Sequence, residues 1–237
     1  MEVSKATNIF SHLELVLLAT DQSLRVTNDD VGHAYFPLSG MVSLVYLMKN
    51  GASCEMSVVG NEGMVGLSII LAGRAPTGGY RVTGRGYAYR IPGHVLRREF
   101  DRSPIMQNLL LRYTQAAMSG MAQMAVCNRY HSLESQLCRW LLMAMDRMES
   151  ESIAMTHEAI ANLLGVRREA VTGAAGKLQT CGAISYLRGK IIVRSRAELE
   201  KRSCECYRVC CTEHARILNS DKLTSASGLR RNNSVTD

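Results

Sequence analysis

Three long polar side chains, Arg167, Arg168 and Glu169, follow directly on a small apolar run that ends at Gly165 and Val166. A guanidinium can donate paired hydrogen bonds to guanine O6 and N7, and a carboxylate can accept one from cytosine N4. Grouped on the first turn of a helix, such side chains can read base edges in the major groove. Thr172 adds a hydroxyl one turn later, while Thr156, His157, Lys177 and Lys190 offer groups suited to the sugar-phosphate backbone. An ordinary helical hairpin with a solvated charged end would carry the same residue types. The elements that position these side chains therefore decide between the two readings.

Those elements are legible between Thr156 and Val193. Ile160, Leu164, Val171 and Leu178 recur at helical spacing, so two short helices can share a small core. Ala161 is small enough for two helix backbones to cross closely, and Gly165 can take the positive φ of a tight corner. The Thr156 hydroxyl can cap the first helix. Ala183 to Tyr186 and Ile191 to Val193 then read as two strands joined at Arg188-Gly189, with Lys190 near the tip of the resulting wing.

The other chemistry-bearing residues form weaker patterns. Cys204, Cys206, Cys210, Cys211 and His214 are the densest set of ligand types. On one continuous helix Cys206, Cys210 and His214 would stand four residues apart on one side, a zinc or redox site still short of a fourth ligand. Small thiols packing a C-terminal helix are the alternative, and the expectation is no metal, with those three residues as the candidates. The histidines of the first hundred residues, His12, His33 and His94, are too dispersed for a cupin-type metal site. A Walker loop, a nucleophile elbow and a Cys-x-x-Cys pair are all lacking, so no enzyme is expected.

The chain has 237 residues, 46% hydrophobic and 21% charged, enough for two compact cores. A net charge of +7 favours a polyanionic partner without choosing between nucleic acid and anionic lipid. No apolar run spans a bilayer and no signal peptide opens the chain, so a cytoplasmic protein without a membrane partner is expected. The eight cysteines are irregularly spaced and read as free thiols.

The organisation predicted is α+β. Residues 1–103 read as an antiparallel β domain. Its clearest hairpin joins Met41–Leu47 to Ser53–Val59 through Lys49-Asn50-Gly51-Ala52, a type I′ turn signal. Cys54, Met56 and Val58 are expected to alternate, as the buried face, with Ser53, Glu55 and Ser57; Tyr87, Tyr89 and Ile91 repeat the pattern. Residues 104–129 read as one long helix, apolar over a wide arc, with Ala116 and Gly120 allowing close approach of a second copy. Residues 130–200 would form the DNA-binding domain, with a helix from Ser132 to Met148 containing Trp140. A C-terminal helix over 201–218 and a disordered tail over 219–237 complete the expectation.

A β domain, a long helix and a winged helix-turn-helix in that order resemble the Crp/Fnr family of bacterial transcription regulators. The resemblance covers roughly residues 13–200 and is strongest over 155–193, with Arg129 to Trp140 as the preceding helical link. It implies a cyclic-nucleotide-binding-like jelly roll that senses a signal, a dimer formed through the long helix, a palindromic site on double-stranded DNA, and RNA polymerase as a partner. Arg168-Glu169 fall on the family's Arg-Glu pair at the start of the recognition helix, whereas Gly173 replaces the further arginine of the catabolite activator branch. Iron-sulfur sensing of the Fnr type is not implied, because that branch uses N-terminal cysteines and the first cysteine here is Cys54.

The sensor half departs from the family. Gly66-Leu67-Ser68 and Pro76-Thr77-Gly78 align with the segments that hold the ribose and the phosphate of cyclic AMP, and lack their carboxylate and guanidinium. Each lost charge-assisted hydrogen bond is worth roughly 1.5–3 kcal/mol. Cyclic AMP is thus not the expected ligand; Glu62, Arg74 and Arg81 could rebuild an anion site for an unknown small-molecule effector, or be solvated loop charges. The cofactor is unknown and none is expected to be needed for DNA binding. A ligand-binding module acting through protein contacts is the alternative to a DNA-binding regulator.

Overall fold

Alternation of apolar and polar residues in the N-terminal half produces strands that close into two antiparallel sheets. The structure is a computed structural model that describes residues 9–27, 32–71, 79–148 and 150–212. The strands are β1 (Glu14–Leu18), β2 (Ser23–Leu24), β3 (His33–Pro37), β4 (Met41–Leu47), β5 (Ser53–Val59), β6 (Tyr80–Gly84) and β7 (Gly86–Pro92), with a short helix α1 (Leu67–Ile70) between β5 and β6. One sheet has the order β1-β7-β3, the other β2-β6-β4-β5. Leu18, Ala34, Val42, Val65, Val82, Ala88 and Ile91 are wholly buried between them. Each fully buried aliphatic side chain of Val, Leu or Ile size contributes about 1.5–3 kcal/mol, so this set alone is a substantial core.

The β4–β5 hairpin has the expected strands, but two local details differ. Its loop is Lys49-Asn50-Gly51, with Met48 N–H donating to Ala52 O and Gly51 N–H to Met48 O. Only Gly51 has a positive φ, 84°, so the connection is a three-residue loop with a left-handed glycine and not the two-residue type I′ turn. The register also shifts: Leu44 pairs with Ser57 and Val45 with Glu55, leaving Met56 unpaired as a bulge. A bulge reverses the alternation beyond it. Glu55 is accordingly buried and Met56 exposed, the opposite of the simple period-two expectation. On β7 alternation holds only as far as Tyr89: Ala88 is buried between the exposed Tyr87 and Tyr89, whereas Ile91 is buried out of that period.

Helix α2 (Gly93–Arg102) leads to α3 (Pro104–Tyr130), started by Ser103, whose hydroxyl accepts from Met106 N–H, with Pro104 at its first position. Its wide apolar arc is divided. Leu110, Ala116, Ala117 and Met124 are buried within this chain, and Tyr113 Oη donates to Met64 O at 3.2 Å. Ala116 therefore faces its own chain and is not the surface for a second copy. Leu111, Met118, Ala122 and Val126 lie exposed on another side.

The remaining elements are α4 (Leu133–Met148), β8 (Ser152–Ala154), α5 (His157–Leu164), α6 (Arg168–Thr180), β9 (Ile184–Leu187), β10 (Lys190–Val193) and α7 (Arg196–Arg202). Leu137, Trp140, Leu141 and Leu142 of α4 pack with Ile160, Val171, Leu178, Ile184 and Ile191, in one core that also takes in Met41 and Val58 of the β domain. The wing is a three-stranded sheet, β8-β10-β9, because β8 adds an edge that its three residues did not advertise. The C-terminal helix expected over 201–218 is interrupted. α7 ends at Arg202, Ser203 is extended, and a second helical segment occupies 206–212. Arg74, Pro76-Thr77-Gly78, His214 and the expected tail lie outside the described residues.

The two halves are bridged. Arg147 of α4 places Nε and Nη2 at 2.9 and 2.7 Å from Glu62 Oε1, with its Nη1 donating to Met143 O, and Gly40 N–H donates to Arg147 O. Ser53 Oγ donates to Asn162 O of α5 at 3.2 Å. No helix among the described residues is long and apolar enough to cross a membrane.

Candidate nucleic-acid interface

The corner of the helix-turn-helix is built as its residues dictate. Thr156 Oγ1 accepts from Ala159 N–H at 3.1 Å and starts α5. Gly165 ends it at φ 68°, ψ 34°, the left-handed geometry that glycine adopts without strain, and Val166 N–H returns to Ala161 O at 3.0 Å. Ala161, Ile160, Val171, Ala175 and Leu178 are buried where α5 meets α6. The outward side of the same corner leaves Arg167, Arg168, Glu169 and Ala170 exposed at the start of α6. Neither side chain capping nor an ion pair among the described residues occupies Arg167, Arg168 or Glu169, so all three retain their donors and acceptors. Their charges complement a base-pair edge that presents both acceptors and donors.

His157 takes a part that sequence reading did not foresee. Its ring stacks on Tyr186 of β9, centroids 4.1 Å apart, and its Nδ1 lies 3.1 Å from Thr172 Oγ1. The Thr172 hydroxyl donates to Arg168 O at 3.1 Å, so towards His157 it acts as acceptor, which places the imidazole proton on Nδ1. Nε2 is enclosed without a partner among the described residues, and burial, then the nearby Arg168 charge, hold the imidazole pKa below its usual value. These contacts give His157 a structural part beside the phosphate contact expected of it. A neutral ring with both nitrogens turned inward braces α5, α6 and the wing together.

The other expected backbone contacts are more dispersed. Lys190 begins β10 and is exposed beside the wing turn, where Arg188 (φ 48°) and Gly189 (φ 77°) both adopt left-handed geometry. Arg188 is exposed at that tip and was passed over as a contact residue, although an arginine in a hairpin turn was visible in the sequence. Lys177 lies in the last turn of α6, 72% exposed, with Nζ 3.9 Å from Glu134 Oε2. Thr156 spends its hydroxyl oxygen on the cap.

Of the residues considered for an anion site, Glu62 and Arg81 have different surroundings, and Arg74 lies outside the described residues. Glu62 is bound to Arg147 of α4, whereas Arg81, opposite Ser43 on β4, lines a separate cleft with Asp21, Ser53 and Asn162. The cleft has a volume of about 310 Å³ and lies between the β domain and α5. Beneath it is a buried carboxylate. Glu55 accepts from Ser43 Oγ at 2.5 Å, and Ser43 is 2.9 Å from Thr83 Oγ1. Burial pushes the Glu55 pKa up to about 7 against the opposing influence of Ser43, Arg139, Trp140 and Arg147.

The thiols also group differently from expectation. Cys206 lies with Cys127, Cys204 and His131, whose ligand atoms are all within 4.8 Å of one another. Cys210 is buried but outside that group. Cys206 and Cys210 share the helical segment 206–212, but Cys206, at its start, lies with Cys204 against the end of α3, and His214 is outside the described residues.

This geometry matches known proteins. Residues 135–202 fit the model of the Crp-like helix-turn-helix domain. The match runs from α4 to the end of α7. The full fold is that of Crp/Fnr regulators. A Crp/Fnr-family transcriptional regulator from Eubacterium rectale is similar with a TM-score of 0.68 at 20% identity, over 85% of this chain and 94% of that one. A CRP-family regulator from Thermus thermophilus gives 0.62 at 19%, over 79% and 96%. The regulator CLP of Xanthomonas campestris, described as responsive to c-di-GMP, gives 0.62 at 15%, over 81% and 99%. No curated protein matches the sequence. Residues 135–202 thus carry a Crp-like helix-turn-helix, and the chain as a whole has the fold of these solved structures, with a β domain in front of it.

Proposed function

We propose that the protein is a homodimeric, sequence-specific transcription regulator that reads a palindromic site on double-stranded DNA. The observation that carries this reading is the exposed first turn of α6. There Arg167, Arg168 and Glu169 stand clear of the rest of the chain on a corner fixed by Gly165. Arg168 and Glu169 read base edges, Arg167 and Thr172 assist, and Lys190, Arg188, Lys177 and Thr156 contact the sugar-phosphate backbone. The exposed apolar stripe Leu111, Met118, Ala122 and Val126 on α3 is the surface on which two copies pair, at helical spacings of seven, four and four residues. A two-fold dimer presents two recognition helices to half-sites about one helical turn apart.

The β domain takes an effector other than cyclic AMP. The carboxylate nearest the aligned ribose segment, Glu62, is committed to Arg147. Calorimetry with cyclic AMP and cyclic GMP is expected to give no heat of binding, and micromolar binding would overturn this part. RNA polymerase is the downstream partner.

Selection of genomic fragments by the purified protein tests the main reading. Recovered fragments should share a two-fold symmetric sequence whose binding survives physiological salt. Recovery of unrelated fragments, released uniformly by salt, would instead favour a module that works through protein contacts.

A further inference from the structure

We propose that Cys127, His131, Cys204 and Cys206 form a binding site for a single tetrahedral divalent metal ion of the zinc type, which ties the C-terminal segment to the joint between α3 and α4. The four ligand atoms come from two places. Cys127 is in the last turn of α3 and His131 directly follows that helix; Cys204 and Cys206 flank Glu205 beyond α7. Cys127 Sγ and Cys204 Sγ are 3.5 Å apart, and Cys206 Sγ and His131 Nδ1 are 3.4 Å apart. Zinc–sulfur bonds near 2.3 Å and zinc–nitrogen bonds near 2.0–2.1 Å in a tetrahedron require separations of about 3.8 and about 3.6 Å. The other pairs lie within 4.8 Å, so closing the tetrahedron takes shifts of up to about 1 Å. The three cysteines are buried and His131 partly so. Three thiolates and one imidazole are a donor set for a closed, structural zinc site, with no position left for a substrate.

The surroundings support the ligands in the way bound metals need. His131 Nε2 is 3.2 Å from Glu205 Oε2, so a carboxylate orients the ring with Nδ1 toward the sulfurs. Gln123 Nε2 donates to Cys206 Sγ at 3.0 Å. Gln136 Nε2 donates to His131 O at 2.9 Å and reaches Cys127 O at 3.4 Å, holding the turn that carries both ligands. Arg139 is 1% exposed, its Nε and Nη2 have no hydrogen-bond partner among the described residues, and its charge acts on Cys127. Binding displaces the three thiol protons and leaves a centre of net charge −1, which a buried guanidinium at this position offsets. The ion would fix the connection that sets where the helix-turn-helix stands relative to α3.

The test is metal analysis of the full-length, untagged chain purified anaerobically with its thiols reduced, followed by titration of the stripped protein with Co²⁺. One zinc per chain is expected, and Co²⁺ should bind at one equivalent with the absorption of a tetrahedral, thiolate-rich centre. Cys204→Ser and His131→Ala should lose or alter that absorption, while Cys210→Ser and Cys54→Ser should keep it. The wild-type cobalt spectrum reports the thiolate ligands even where a variant fails to fold. Absence of both zinc and a tetrahedral cobalt spectrum, a Cys127–Cys204 disulfide in place of an ion, or equal loss in Cys210→Ser would overturn the site. These measurements involve no DNA, so they stand or fall independently of the operator-binding reading.

Discussion

Glu55 is a carboxylate whose burial has measurable consequences. Ser43, Thr83, Arg139, Trp140 and Arg147 surround it or act on it, yet burial dominates and its pKa is about 7 against an ordinary 4.5. Below pH 4.5 the acid is protonated in folded and unfolded chains alike, so it imposes no pH-linked cost. Between 4.5 and 7 the unfolded chain releases the proton while the folded chain keeps it, so stability falls as pH rises. Above 7 the cost is complete, at about 3 kcal/mol. Glu55→Gln should therefore stabilise the protein by up to that amount above pH 7 and have little effect near pH 4, as followed by urea unfolding across pH. Equal effects at both pH values would show that folding does not raise the pKa of the carboxyl. Its burial was not visible in the sequence, because period-two alternation assigned it to the wetter face and the Met56 bulge reversed the pattern.

The helix-turn-helix corner and α3 can be tested as elements. Gly165 holds φ at 68°, and a Cβ there would sit 3.4 Å from Cys54 Sγ, an ordinary contact. Gly165→Ala should thus cost only the left-handed strain, about 1–2 kcal/mol, and Gly165→Asn less, as read by denaturant midpoints. A much larger loss would mean that the corner cannot absorb a side chain against the β4–β5 hairpin. Met118 is 61% exposed, so Met118→Glu should leave the fold intact and shift sedimentation from dimer to monomer. A Met118→Glu chain that remained dimeric would move the interface elsewhere. These elements were the most legible part of the chain. The spacing of Ile160, Leu164, Val171 and Leu178 predicted two packed helices, and the structure buries all four. The division of α3 was less legible, since one helix with two apolar faces reads simply as apolar; Ala116 was placed on the wrong one.

Across the chain, what is physically local was readable and what depends on distant segments meeting was not. The recognition turn lies within a few consecutive residues. By contrast, His157 meets Tyr186, Glu62 meets Arg147, and Cys127 meets Cys204 only after folding. No spacing rule joins residues so far apart. The Glu62–Arg147 and Ser53–Asn162 contacts also join the β domain to α4 and α5. The reading rests on the assignment of base contacts to Arg168 and of backbone contacts to Lys190. Affinities of the wild type, Arg168→Ala and Lys190→Ala for a library of sites, measured over a range of salt, test it. Arg168→Ala should cost about 1–3 kcal/mol and relax preference at one base pair of each half-site, while Lys190→Ala weakens every sequence alike and lowers the salt slope by about one. Identical effects of the two substitutions on every sequence would contradict it.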